Sequence, residues 1–300
     1  MDILYKVFGK FWDYVQIGDD KLHSTQVLPD GIKEIADVPY TDSGSIYHLF
    51  DIYYPEDAKG PLPVIIDIHG GGWMYATKDV NKIYCQYLAK RGFVVYNLSY
   101  RLVPEVMVPH QLQDISMALA KIKETFKDVP ADPARVMLSG GSAGGQLAAF
   151  TAAISKSDKL SAYFDTVSHN IEFSCLALTS PVSFMNCEFP MGFYGRPMWG
   201  EKALKKSTRK YMNIDELIRE VPSFPPTILV TSSGDILALK QTRRLFRVLL
   251  ENSVEAKLLD FPKFEGKNLP HVFGTLEPYS KAGIIYIDKV CEFFRSHTKG

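Results

Sequence analysis

The chain carries no net charge, few cysteines and no long apolar run. Its 300 residues include 34 lysines and arginines against 34 aspartates and glutamates. Without a net positive field, nothing would draw a nucleic-acid backbone to the protein, so we expect no nucleic-acid partner. A local basic cluster at residues 202–210 is flanked by acidic side chains and predicts a solvated helix face.

The four cysteines are scattered and form no Cys-x-x-Cys pair. This pattern predicts neither a disulfide framework nor a zinc site, and we expect no bound metal. Three of them lie in apolar runs, where a free cysteine behaves as a small buried hydrophobe. The four are Cys85, Cys175, Cys187 and Cys291.

No stretch approaches the roughly 18 consecutive apolar residues that a membrane-spanning helix needs. Charged residues interrupt the first segment, so it does not have the apolar centre of a signal peptide. These residues are Asp2, Lys6, Lys10 and Asp13. We therefore expect a cytoplasmic protein with no membrane span.

Short β-branched runs alternate with amphipathic helical segments along most of the chain. This alternation predicts an α/β protein, with a mostly parallel sheet covered by helices on both faces. The length fits one domain. Predicted strands lie at 46–54, 63–69, 93–98, 136–139, 174–179, 226–231 and 256–261, and predicted helices at 81–91, 110–126, 146–153 and 279–294.

Two segments do not follow this alternation of strands and helices, and they are predicted to cover a pocket. The first, about residues 1–40, begins with an amphipathic helix at 2–16 that packs on the body or forms part of a cap; a membrane anchor is the least favoured interpretation. The second, about residues 184–222, is an aromatic-rich insertion of a length typical of lids. Candidate pocket residues are Trp73, Phe184, Phe193, Tyr194 and Trp199.

The most informative motif is Gly140-Gly141-Ser142-Ala143-Gly144-Gly145. It follows an apolar strand and precedes an alanine-rich helix. A serine flanked by glycines in this context predicts a sharp turn that exposes its hydroxyl as a nucleophile.

A second glycine run, His69-Gly70-Gly71-Gly72-Trp73, directly follows a predicted buried strand. Successive glycines allow the backbone to present bare N–H groups to a developing oxyanion. We predict an oxyanion hole formed by the N–H groups of Gly71, Gly72 and Ala143, with the His69 ring bracing the loop.

A serine nucleophile also needs a base and an acid that orients it. Of seven histidines, His271 lies in a loop after the last strand and before the last helix, where the order serine, acid, histidine places the base. Asp235 follows the preceding strand and is the predicted acid. Asp260, at the end of the last strand, is its rival, whereas Asp67 and Asp114 are predicted to brace loops.

Together with Tyr100-Arg101-Leu102 and Gly234-Asp235, these motifs resemble the hormone-sensitive-lipase-like branch of the α/β-hydrolase superfamily, over residues 45 to 295. The resemblance implies a Ser142–Asp235–His271 triad, no cofactor, and a Tyr100-Arg101 element that supports the active-site loops. It also allows a homo-oligomer formed through the last strand and helix.

The function expected is hydrolysis of short-chain, acetyl-type esters through an acyl-enzyme, with a small-molecule ester as substrate. A carbohydrate acetyl esterase is one version of this function. Two alternatives stay open at this point: an arylformamidase-type amide hydrolase and a non-catalytic ligand-binding homologue.

Overall fold

In the computed structural model, residues 2–186, 191–200 and 210–298 are described. Cys187 and the basic residues at 202–209 lie outside the described residues. The other three cysteines are free and buried.

The centre of the molecule is an eight-stranded sheet with the order β1-β2-β4-β3-β5-β6-β7-β8. The pairs β1/β2 and β2/β4 are antiparallel, and all other neighbouring strands run parallel. The strands are β1 Ile32–Pro39, β2 Leu49–Pro55, β3 Leu62–Ile68, β4 Val94–Leu98, β5 Ala131–Gly141, β6 Cys175–Thr179, β7 Thr227–Ser232 and β8 Ala256–Phe261.

Helices connect most of the strands, as parallel neighbours require. They are α1 Asp2–His23, α2 Lys82–Ala89, α3 Val108–Thr125, α4 Ala143–Ile154, α5 Asp158–Phe164, α6 Met191–Met198, α7 Ile214–Ile218, α8 Leu239–Glu251, α9 Phe273–Leu276 and α10 Lys281–Ser296. Within the described ranges, none of these helices combines the length and the apolar character that crossing a bilayer demands.

The α/β prediction is confirmed, and the two faces of the sheet carry separate apolar cores. Along β3, Ile66 and Ile68 point to the core beneath α3 and α4, whereas Ile65 points to the core beneath α2 and α10. Both faces of the central strands are buried, which explains why these strands read as continuous β-branched runs rather than as alternating ones.

An edge strand and a long helix are among the elements that differ from the sequence expectation. Residues 32–39 fall in the segment expected to form a cap, yet they form β1, which pairs with β2 at the edge of the sheet. A register shift between Ile35 and Val38 and the charged residues of this strand hide its periodicity. Helix α8 was not predicted because charged residues dominate it, although Leu245, Val248 and Leu249 form a buried stripe.

The sheet brings the predicted site residues to one edge. Strands β3, β5, β7 and β8 are parallel, so their carboxyl ends point the same way. The glycine loop follows β3, Ser142 follows β5, Asp235 follows β7 and His271 follows β8. The carboxyl edge of a parallel sheet is where open α/β folds bind ligands.

Candidate active site

Ser142 sits in a strained turn between β5 and α4. Its backbone has φ 55° and ψ −120°, a conformation that non-glycine residues rarely adopt. The N–H of Ser142 donates to the Thr179 carbonyl at 2.9 Å, and its own carbonyl accepts from the N–H of Val182 at 3.2 Å. These bonds hold the turn, so the side chain projects away from the sheet edge.

The glycine after the turn is required by close packing. A Cβ on Gly144 would lie 2.1 Å from the carbonyl oxygen of Ile68 and 2.3 Å from that of His69. Since both are backbone atoms of the neighbouring strand end, neither can give way. Gly144 therefore lets α4 start directly against the end of β3.

Ser142, His271 and Asp235 form one hydrogen-bonded chain. His271 Nε2 lies 2.9 Å from Ser142 Oγ, and His271 Nδ1 lies 2.9 Å from Asp235 Oδ1. Because a carboxylate only accepts, Nδ1 carries the proton and Nε2 offers its lone pair to the serine hydroxyl. The three residues that the sequence singled out thus meet at hydrogen-bonding distance.

The Asp235 carboxylate is buried, but several protein groups donate hydrogen bonds to it. Burial alone would raise the pKa of this carboxyl, but His271, the N–H of Ala238 and the Ser180 hydroxyl together hold the pKa below its ordinary value. Oδ1 also accepts from the N–H groups of Leu237 and Ala238, at 3.1 and 2.8 Å. The carboxylate is therefore ionised and fixed in orientation beside the imidazole.

The rival carboxylate, Asp260, is engaged elsewhere. It accepts from Arg243 Nε at 2.7 Å on the edge strand β8. The geometry therefore favours Asp235 as the partner of His271.

The glycine loop presents unused backbone donors beside Ser142. Among the backbone hydrogen bonds of the described residues, none uses the N–H of Gly71 or of Gly72. Ala143 is the first residue of α4, where N–H groups have no partner within the helix. Gly71 has φ +103°, and a Cβ there would lie 2.1 Å from the Tyr75 carbonyl oxygen, so only glycine fits the loop.

Buried residues brace this loop from below, as the sequence predicted for His69 and as the resemblance implied for Tyr100. The His69 ring stacks on Tyr100 at 4.3 Å, and its Nδ1–H donates to the Gly70 carbonyl at 2.8 Å. The Tyr100 hydroxyl donates to the His69 carbonyl at 2.8 Å. Burial lowers the pKa of His69 to about 4, so this ring stays neutral.

Two further carboxylates, Asp67 and Asp114, hold loops by hydrogen bonds, which is the part predicted for them from the sequence. Arg101 binds Asp114 through Nε and through Nη2, the latter at 2.6 Å. Asp67 accepts from Asn81 and from the Ser139 hydroxyl, at 2.7 and 2.8 Å. Neither carboxylate bonds to the Ser142–His271 pair.

A cavity of about 520 Å³ opens over Ser142 and His271. Its wall is mostly apolar, and its size falls within the range of small-molecule sites. The glycine loop, the N-terminal helix, α6, the loop after β7 and the segment after β8 all contribute to the lining, which includes Gly71, Trp73, Tyr194, Leu237, Val272 and Leu276.

Two of the five pocket candidates, Trp73 and Tyr194, line this cavity; the other three do not. Phe184 is buried against the Arg244 guanidinium, 3.8 Å from its ring centre. Trp199 packs in the core against Phe150. Phe193 is 57 % exposed and packs edge-on against Phe8. Aromatic content alone does not separate pocket walls from core, because both environments favour large apolar rings.

Helix α1 contributes to the cavity wall, which agrees with one of the two interpretations of its amphipathic sequence, a part of a cap over a pocket. Phe11, Trp12, Val15 and Asp19 all line the cavity. Their spacing of three and four residues was visible as an amphipathic pattern, but the pattern alone does not tell which surface the face covers.

Trp12 and Tyr194 join α1 to the glycine loop. Trp12 Nε1 donates to the Tyr194 hydroxyl at 3.1 Å, and that hydroxyl donates to the Gly72 carbonyl at 2.8 Å. The Trp12 ring also stacks on Tyr75 at 5.3 Å. Segments distant in sequence thus fix the position of Gly72.

No group of three or more histidine, cysteine, aspartate or glutamate side chains could hold a metal ion in the part of the chain that the structure describes.

Comparison with known proteins links the fold and the motifs to esterases. The family model described as BD-FAE matches residues 50–187. Esterase B from Lactobacillus rhamnosis is 27 % identical, with a TM-score of 0.92 over 99 % of this chain and 97 % of that one. An esterase of the bacterial hormone-sensitive lipase family is 19 % identical, with a TM-score of 0.70 over 94 % of this chain and 89 % of that one, and shares the fold.

Among curated relatives, versiconal hemiacetal acetate esterase of Dothistroma septosporum is 36 % identical over 100 residues, which are 33 % of this chain and 30 % of the relative. The chain spans between 5 % and 54 % of the length of the first curated relatives that it matches. The sheet topology, the two glycine-rich motifs and these similarities all indicate the same fold. The chain has the α/β-hydrolase fold and is similar in sequence and structure to esterases of that fold.

Proposed function

We propose that this protein is a serine carboxylesterase that cleaves short-chain esters through an acyl-enzyme intermediate. The observation that carries the proposal is the chain of two 2.9 Å contacts from Ser142 Oγ through His271 to Asp235. A serine hydroxyl is a weak nucleophile by itself, and this arrangement supplies the base that activates it.

In the first step, Ser142 Oγ attacks the ester carbonyl carbon while its proton passes to His271 Nε2. Asp235 stabilises the imidazolium that forms and keeps the ring oriented. The tetrahedral intermediate then collapses: the bond to the alcohol oxygen breaks, and His271 returns the proton to the departing alcohol. The acyl group remains on Ser142.

In the second step, water attacks the acyl-enzyme carbonyl and gives its proton to His271. The bond between the acyl carbon and Ser142 Oγ breaks, the serine recovers its proton, and the acid leaves. The N–H groups of Gly71, Gly72 and Ala143 are the proposed donors to the oxyanion in both steps. One such donor contributes roughly 2.7–4 kcal/mol to transition-state stabilisation.

We assign the covering of the cavity to α1 and to the insertion at about 184–222. Trp12 and Tyr194, one from each segment, line the cavity and bond to each other. They would exclude water and orient the acyl or alcohol group of the substrate. Within this proposal, the N-terminal part of the cap begins at α1 and ends before β1.

The finer proposal is a preference for acetyl and butyryl groups, with acetylated carbohydrates as one class of natural substrate. A cavity of about 520 Å³ lined by the aromatic side chains of Trp73 and Tyr194 has room for a short acyl group together with a compact alcohol. Esterase B from Lactobacillus rhamnosis has been crystallised with a C4-C4 tributyrin phosphonate inhibitor, which supports short acyl chains.

A fluorophosphonate probe tests the proposal directly. The wild-type chain should be labelled and should hydrolyse p-nitrophenyl butyrate, and Ser142→Ala should lose both properties. Ser233→Ala, which changes an exposed serine in the neighbouring acid loop, is the matched control and should keep both.

Labelling that persists in Ser142→Ala would overturn the proposed nucleophile. A folded wild-type chain that resists the probe and hydrolyses no ester would indicate a non-catalytic binding protein. Faster turnover of N-formylkynurenine than of any ester would instead indicate an amide hydrolase.

A further inference from the structure

The outward face of α1 is apolar although it faces solvent. Residues 3, 7, 10, 14, 17 and 21 recur every three or four positions and therefore share one stripe of the helix. Ile3, Val7, Tyr14 and Ile17 occupy four of these positions, and Phe11 borders them on the cavity side. These five side chains are between 55 and 79 % exposed.

This face is not needed to hold the helix on the protein. The opposite face does so: Tyr5 donates to the Pro197 carbonyl at 2.9 Å, Trp12 bonds to Tyr194, and Asp19 accepts from the Tyr75 hydroxyl at 3.0 Å. A helix already anchored on one side gains nothing in folding from large apolar residues on the other. A contiguous exposed patch of this kind marks an interaction surface.

Lysines are the charged residues of the stripe. Lys10 and Lys21 lie within it and Lys6 borders it, all three exposed. The described acidic side chains of α1 lie outside the stripe: the exposed Asp13 and Asp20 flank it on the side of Lys6, and Asp19 faces the protein. Apolar side chains interleaved with lysines are the pattern of helices that lie in the interface of an anionic bilayer.

A second copy of the chain fits this face less well. If two α1 helices paired through the stripe about a twofold axis near its middle, the two Lys10 side chains would meet. Like charges at such a contact are unfavourable, whereas anionic headgroups would neutralise them.

The mouth of the cavity lies beside the same face. Phe11 from α1 and Leu237 from the loop after β7 both line the cavity, and both are more than half exposed. Ile236, next to Leu237, is 94 % exposed. Apolar side chains therefore border the cavity on two sides, and a surface that covered α1 would face its opening.

We propose that the outer face of α1 docks the protein onto an anionic lipid surface, with the mouth of the active-site cavity turned toward that surface. Ile3, Val7, Tyr14 and Ile17 enter the headgroup region, and Lys6, Lys10 and Lys21 contact lipid phosphates. The helix lies on the surface and does not cross it. Docking needs no turnover and does not depend on the proposed esterase activity.

Vesicle co-sedimentation of the full chain tests the proposal. The protein should bind phosphatidylcholine vesicles that contain about one quarter phosphatidylglycerol, bind pure phosphatidylcholine far less, and be released by about 0.5 M salt. Changing Lys6, Lys10 and Lys21 together to Gln should weaken binding on the order of 100-fold, about fivefold for each lysine. Tyr14→Ser combined with Ile17→Ser should weaken binding to both kinds of vesicle.

Matched controls remove the same groups elsewhere. Lys59, Lys127 and Lys263, all exposed, are changed together to Gln, and Ile284→Ser is combined with Ile285→Ser on α10. These variants should bind as the wild type does, and the folding of every variant is checked by circular dichroism and thermal unfolding, which do not depend on activity.

Three results would overturn the proposal. The wild-type chain could fail to bind anionic vesicles, or the control variants could lose as much binding as the α1 variants. The chain could also be a dimer in solution that Tyr14→Ser with Ile17→Ser dissociates, in which case the face is occupied by a second copy.

Discussion

The Tyr194 hydroxyl donates to the carbonyl of Gly72 at 2.8 Å, although 122 residues separate them. The same hydroxyl accepts from Trp12 Nε1. One oxygen therefore joins the N-terminal helix, the insertion before β7 and the loop proposed to hold the oxyanion. The bond to the Gly72 carbonyl fixes the plane of the Gly72–Trp73 peptide, which directly follows the N–H of Gly72 in the loop.

Tyr194→Phe should lower kcat by about three- to tenfold with little change in KM, because a hydrogen bond of this kind contributes about 0.5–1.5 kcal/mol. Steady-state kinetics on p-nitrophenyl butyrate measures the changes in kcat and in KM separately. Tyr163→Phe, on the half-exposed Tyr163, is the control and should leave both constants unchanged. A raised KM with kcat intact would mean that Tyr194 shapes the pocket and does not position the loop.

Asp235→Asn should lower kcat by orders of magnitude, because a neutral amide cannot stabilise the imidazolium that forms during the reaction. The protein should stay folded, since the amide oxygen still accepts from the N–H groups of Leu237 and Ala238. Asp260→Asn should change kcat by less than about twofold, because it removes only a surface pair with Arg243. Full activity in Asp235→Asn, or an inactive Asp260→Asn, would refute the assignment of the acid.

Gly71→Ala should lower kcat by about 10²- to 10³-fold, which is the typical effect of losing one oxyanion donor. A Cβ there meets the Tyr75 carbonyl, so the loop has to move and the melting temperature should fall too. Gly9→Ala, in the middle of α1 with open space around it, should raise stability slightly because alanine favours helix. A Gly71→Ala enzyme with normal kcat would exclude this loop from the oxyanion hole.

The free energy of unfolding should fall between pH 6.5 and pH 4, partly because of His169. Burial lowers the pKa of this ring from 6.5 to about 4 in the folded protein. Within that window the unfolded chain binds a proton that the folded chain does not, so stability is present above the window and is lost as pH falls. The contribution is on the order of 3 kcal/mol across the window.

Urea titrations at several pH values measure this slope. His169→Gln keeps an acceptor for the N–H of Ile171 but removes the titration, so its stability should depend less on pH than that of the wild type. Curves that run parallel for the two proteins would contradict the prediction.

On the short-chain proposal, the acetate and butyrate esters of p-nitrophenol should be hydrolysed faster than the decanoate. Relative kcat/KM values decide the point. Fastest hydrolysis of the decanoate would refute the short-chain proposal and leave the triad proposal intact.

Local sequence was sufficient to predict the fold class and the residues that meet at Ser142. The turn at Ser142 and the loop at Gly71 depend on glycines, because nearby backbone atoms leave no room for a Cβ. Parallel strands fix which ends converge, so Asp235 and His271 could be placed from their position after β7 and β8 alone.

The pocket wall could not be predicted in the same way. Phe184 and Tyr194 are alike in sequence context, yet one packs under Arg244 and the other over Gly72. Which of the two lines the cavity depends on how the insertion crosses the sheet edge, and no local spacing encodes that path. The edge strand β1 was missed for a related reason, because only its pairing with β2 identifies it as a strand.

His271 follows the last strand of the sheet, whereas Ser142 lies near the middle of the chain. Under the proposed mechanism, a growing polypeptide on the ribosome gains its base only after β8 and the loop that follows it have been synthesised. Fragments that stop before β8 would display the serine turn without being able to use it.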